Sequence, residues 1–151
     1  MKIILVTDGT KYCDAAVNML SKFALKSGDE IKIITVVDMA LPFSIDLYGG
    51  YLPDTDVLEN TARENAGNIV DETALKLNAA FGPAGINISS DVLFGSPDSR
   101  IVETAEESGA DLILIGSHGY NRWERLLLGS ISDSVVHHAH CSVLIVRTPV
   151  E

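Results

Sequence analysis

The chain has 151 residues, 46% hydrophobic, 21% charged and 6% aromatic, with a formal net charge of −10. That length and a mean hydropathy of +0.21 suit one domain with a real core and exclude a disordered polymer. No apolar run approaches the roughly 20 residues of a membrane span, and the acidic balance excludes broad binding to nucleic-acid phosphates.

Lys2–Thr7 (KIILVT) reads as a first strand and not a leader peptide, because it reaches Asp8 without a small-residue cleavage site. Ala16, Met19, Leu20 and Phe23 recur at helical spacing and predict a helix over roughly 11–27, stopped at Gly28. Ile31–Val37 (IKIITVV) is the second strand. Residues 38–56 hold Pro42, Pro53 and a Gly-Gly pair, and form the only long irregular loop. Leu58, Ala62, Ala66, Ile69, Thr73 and Leu77 make one stripe on a helix over roughly 55–80, which Gly82-Pro83 ends. Ile86–Phe94 alternates, as a weaker strand at a sheet edge does. Ser96-Pro97-Asp98 has the form of a helix start, with Ser96 as cap; that helix carries Ile101, Val102 and Ala105 and stops near Gly109. Asp111–Ile115 is a strand, and a last helix from about Ser130 to Ala139 buries Ile131 and Val135. Ser142–Val146 is the final strand.

The nearly continuous apolar strands suit burial on both faces, and their alternation with helices predicts a single α/β domain with a mostly parallel five-stranded sheet between helix layers. In such a sheet, ligands bind beyond the carboxyl ends of the strands. The candidates are therefore Asp8-Gly9-Thr10, Val36-Val37-Asp38, Gly95-Ser96-Pro97 and the segment from Gly116 to Ser132. Gly9 and Gly95 also read simply as turn residues. The first 115 residues carry 8 Lys or Arg against 18 Asp or Glu, whereas residues 116–151 are neutral and hold all four His. An anion is therefore tolerated best near that last segment. There, Gly116 and Gly119 frame a turn straight off a strand, and Gly129, Ser130, Ile131 and Ser132 open the last helix. Backbone N–H groups and hydroxyls at a helix start form an anion site.

The spacing Gly116-x2-Gly119-x9-Gly129-Ser130 resembles the ATP-binding signature of the universal stress protein family. KIILVTDGT, IITVVD and HHAHCSVLIVR resemble that family's opening strand, second strand and closing segment, so the likeness covers the whole chain, 1–151. It implies an α/β/α sandwich of the nucleotide-binding alpha-hydrolase-like kind that binds ATP, usually as a homodimer. It implies that Asp8 meets the ribose or an Mg2+ at the phosphates, and that Val36 meets the adenine through its backbone. Gly116 and Gly119 would line the ribose and phosphate side. Gly129, Ser130, Ile131 and Ser132 would hold the phosphates. Gly9 and His118 are grouped with this nucleotide site. Ser142 departs from the pattern, since the family usually has Pro there.

Other readings stay open beside these. Asp8, Ser130 and Ser132 also suit helix caps, and His118 also suits a solvent-facing loop. Arg122 and Arg125 flank Trp123 in the spacer, as phosphate contacts or as part of an exposed loop. His137, His138 and His140 have the composition of a metal tract without the spacing for three convergent ligands. Cys13 and Cys141 are too few for a disulfide framework, which points to reduced thiols in the cytoplasm. No catalytic residue stands out. The reading is an ATP-binding regulatory protein of stress response, homodimeric through Ser142–Val146, with any hydrolysis slow. The rivals are a dimeric adaptor with little nucleotide affinity and a slow ATP hydrolase or transferase. A phosphoacceptor receiver domain fits less well, because its later aspartate and lysine are missing.

Overall fold

The fold is that of a computed structural model, which describes residues 1–38, 55–117 and 129–147. In chain order these form β1 (Lys2–Val6), α1 (Lys11–Leu20), β2 (Glu30–Val37), α2 (Thr55–Phe81), β3 (Asn87–Phe94), α3 (Pro97–Ser108), β4 (Leu112–Gly116), α4 (Ser130–His138) and β5 (Ser142–Val146). The strands make one sheet in the order β3-β2-β1-β4-β5, and every neighbouring pair is parallel. β3 lies at one edge, as its alternation predicts, and β5 at the other. Among the described residues no helix is long and apolar enough to cross a membrane.

The continuous apolar strands follow from this order. Successive strand side chains point to opposite faces, so a strand with helices on both sides needs apolar residues at every position. Ile3, Leu5, Ile31, Ile33, Leu112 and Leu114 pack with Ala16 and Leu20 of α1 and Val70, Leu77 and Phe81 of α2. Ile4, Ile34, Ile113 and Ile115 pack on the other face with Ile101 and Ala105 of α3 and Val135 of α4.

Four sequence expectations need correction. The first helix ends at Leu20 and not near Ser27. There the Ser21 hydroxyl donates to the Asn18 carbonyl (2.7 Å), and the buried Asp29 carboxylate accepts the Lys26 N–H (2.9 Å). Those backbone groups are satisfied by side chains, while Phe23 and Leu25 still pack on the core. In α2 the buried line is Ala66, Val70, Thr73, Leu77 and Phe81, with Leu58 exposed. In α4, Ser132 and Val135 are buried and Ile131 is 41% exposed. Ser96 does occupy the cap position of α3, but its hydroxyl does not cap the helix. Gly109, with φ +61°, ends α3 as expected.

Gly9 turns the chain between β1 and α1 at φ +75°, and a Cβ there would lie 2.8 Å from Ile69 Cγ1. Both facts oppose a side chain. We expect Gly9→Ala to lower stability by about 1–3 kcal/mol, read as the midpoint of urea unfolding. Measured against Ile69→Ala alone, adding Gly9→Ala to it should cost less, because alanine lacks the contacted Cγ1, but the cost of the positive φ remains.

Candidate functional site

β1, β2 and β4 end side by side, and the starts of α3 and α4 face those ends. The cavity between them has a volume of about 370 Å³, within the range of small-molecule sites. Val6, Thr7 and Asp8 enter it from β1 and its turn, Val36 from β2, and Ile115 and Gly116 from β4. Pro97 and Ile101 of α3 form one wall, and Gly129, Ser130, Ile131 and Ser132 form the other. The strand ends are tied together. The Thr7 N–H donates to the Ile34 carbonyl (3.0 Å), and the buried Thr35 hydroxyl donates to the Thr7 carbonyl.

Of the ten residues singled out from the sequence, Asp8, Val36, Gly116, Gly129, Ser130, Ile131 and Ser132 line this one cavity. Gly9 does not; it holds the turn against Ile69. His118 and Gly119 lie outside the described residues, as do Arg122, Trp123 and Arg125, most of the 38–56 loop and the side chain of Cys13. Pro97 comes from the candidate segment Gly95-Ser96-Pro97, whereas sequence reasoning missed Val6, Thr7, Ile101 and Ile115 as lining. Their only signal was position: each stands near a strand end or in the first turns of α3.

The cavity has two chemical halves. Val6, Val36, Pro97, Ile101 and Ile115 are apolar surface suited to a flat ring. Asp8 is the charged lining residue, and its Oδ1 accepts the Thr10 N–H (2.9 Å) and hydroxyl (2.7 Å). Thr10 occupies the cap position of the first helix without a side-chain cap bond, and Asp8 orients it. In α4, Gly129 is the cap and its carbonyl accepts the first helical bond, from Asp133 N (2.8 Å). The N–H groups of Ser130, Ile131 and Ser132 therefore have no carbonyl partner within the helix. They carry the positive end of the helix dipole. The Ser132 hydroxyl donates to the Gly129 carbonyl (3.0 Å), bracing this turn.

The start of α3 is chemically different. Pro97 has no N–H, and the first-turn Asp98 carboxylate accepts the Ser96 and Ser134 hydroxyls, each at 2.7 Å. Asp98 thus sets its charge at the start of α3 beside the cavity wall, whereas the first-turn acid of α4, Asp133, lies outside the lining and 3.7 Å from His137 Nδ1, which makes α4 the end better suited to an external anion.

The histidines diverge. Nδ1 of His137 and of His138 lie 2.8 Å from the carbonyls of Asp133 and Ser134, and Nδ1 of His140 lies 3.9 Å from Glu106 Oε2. Among the described residues no three His, Cys, Asp or Glu side chains gather to hold a metal. Cys141 is half-buried, and burial pushes its thiol pKa up.

A parallel sheet in 3-2-1-4-5 order, carrying a part-apolar cavity at its carboxyl edge under a helix start, defines an α/β domain with a cavity at the place where open parallel sheets hold their ligands. The model of the universal stress protein family matches residues 1–147, and the chain belongs to that family. A universal stress protein of Methanocaldococcus jannaschii is 31% identical over 148 residues, spanning 98% of this chain and 82% of its own. A crystal structure of a universal stress protein in complex with cAMP is 27% identical, with TM-score 0.68, covering 99% of this chain and 98% of that one. Universal stress protein UspA from Lactobacillus plantarum shares the fold at 24% identity and TM-score 0.71, over 97% of each chain.

Hydrogen bonding to the Asp98 carboxylate, from the Ser96 hydroxyl first and the Ser134 hydroxyl next, pulls its pKa down to about 2. The unfolded chain holds that proton more tightly, with a pKa of about 3.9. The stability Asp98 contributes is therefore complete above about pH 4 and is lost as pH falls toward 2. Urea unfolding across that window should show wild type losing more stability than Asp98→Asn.

Proposed function

We propose that this chain is an ATP-binding regulatory protein whose nucleotide lies in the cavity between the strand ends and α4. The observation that carries this reading is the convergence of Asp8, Val36, Gly116 and Gly129–Ser132 on one cavity. The related structure that holds cAMP supports an adenine nucleotide as the ligand class. The adenine lies among Val6, Val36, Pro97, Ile101 and Ile115, with the Val36 backbone reading its edge. The Asp8 carboxylate accepts from the ribose hydroxyls, or holds an Mg2+ that travels with the phosphates. The phosphates face the free N–H groups at the start of α4 and the Ser130 hydroxyl, and Gly129 lets them approach.

The nucleotide acts as a ligand whose occupancy changes conformation or partner choice. Among the described lining residues the one acid is Asp8, which this reading gives to the ribose or an Mg2+, so any hydrolysis is slow. β5 is a sheet edge whose Val143, Leu144 and Ile145 are only half-buried in the single chain. Pairing with a second copy across that edge covers them and makes a homodimer. Residence in the cytoplasm and a role in stress response belong to the same reading.

Mass spectrometry of the purified, denatured protein should release an adenine nucleotide, and titration should show ATP binding. Gly129 sits at φ −61°, ψ 150°, a conformation open to valine. Gly129→Val should therefore abolish ATP binding while leaving a cooperatively folded domain. Ser130→Ala should weaken binding by about 1–2 kcal/mol. ATP binding by Gly129→Val equal to wild type would overturn the assignment. A wild type that binds no nucleotide would favour the dimeric adaptor.

A further inference from the structure

Ser134 lies one turn into α4, on the half-buried side that faces α3. Its hydroxyl donates to Asp98 Oδ2 at 2.7 Å, across 36 residues of sequence, and Asp98 Oδ1 takes the Ser96 hydroxyl at 2.7 Å. This bond joins the first turn of α3 to α4 next to the two cavity walls, Pro97 and Ile101 on one side and Ser130–Ser132 on the other. Behind it, Ile101, Ala105 and Val135 form the apolar contact between the helices. At the far end, His140 and Glu106 approach only to 3.9 Å, and both are exposed. The cavity end of the helix pair is therefore held by a partly buried, charge-assisted hydrogen bond, and the far end by a loose surface pair. His138 Nδ1, 3.4 Å from the Ser134 hydroxyl, stays on the solvent side.

We infer that Asp98 and Ser134 are positioning residues that set the distance between the two walls of the cavity, and so the affinity for a ligand that touches both. The inference rests on the nucleotide reading above and adds to it a distinction between ligands. ATP reaches from the α3 wall, where its base lies, to the α4 wall, where its phosphates lie. Adenosine touches the base wall alone. Loosening the bridge therefore acts on ATP and spares adenosine. A merely structural defect lowers both.

The test is calorimetric titration of ATP and of adenosine into wild type, Ser134→Ala, Ser134→Thr and Asp98→Asn. Ser134→Ala should bind ATP roughly tenfold more weakly, with adenosine affinity changed less than about twofold. Ser134→Thr keeps the hydroxyl and should restore ATP binding. Asp98→Asn also lifts a negative charge from the start of α3, so it is titrated at high salt, where it should fall between wild type and Ser134→Ala and serves if the alanine variant does not fold. Equal losses for the two ligands, or unchanged ATP affinity in Ser134→Ala, would overturn the bridge while leaving the nucleotide site intact. Wild type that takes up neither ligand would overturn the nucleotide reading, and the bridge's role with it.

Discussion

Ile3, Ile4 and Leu5 expose almost nothing to water, because β1 runs between β2 and β4 with helices over both faces. This double burial is the constraint on which the site depends. Parallel neighbours in register bring their carboxyl ends to one edge, so Asp8, Val36 and Gly116 become neighbours although they are far apart in sequence. The helices that must cover the β4 side then start at the same edge. The cavity is what remains where the strands have ended and the helix starts have not closed over them.

Electrostatics then separates the two helix starts. Both carry the positive end of a dipole, yet Asp98 sets its charge at that of α3, and Pro97 removes one of its donors. The start of α4 has Gly129 as its cap and keeps its donors free of any helix partner. An anion in a protein of charge −10 must be bound where the local field allows it. The same carboxylate that places its charge at the start of α3 also ties it to α4, so one residue sets both the sign and the shape of that end of the cavity.

Much of this was legible in the chain itself. Apolar runs marked four of the strands and alternation the fifth, Gly82-Pro83 and Gly109 marked helix ends, and the glycine and serine spacing picked out Gly116, Gly129 and Ser130, which line the cavity. What escaped were choices between equally local alternatives. Helical periodicity continued to Phe23, but Asp29 took the Lys26 N–H and the chain left the helix early. Ser96 stood at a cap position, but its hydroxyl went to Asp98. Ile131 had the spacing of a core residue, but it lies at the cavity and is partly exposed.

The sequence by itself determined the number and type of the elements, the burial of the strands on both faces, and which turns were rich in glycine and hydroxyls. These follow from the side-chain periods of strand and helix and from backbone freedom at glycine, which act over a few residues. Only the tertiary structure decided that the first, second and fourth strands are neighbours at one edge. It also decided that Pro97 and Ile101 wall the cavity, and that Ser134 meets Asp98. Those contacts depend on strand order and on how two helices pack, and no short-range pattern encodes either.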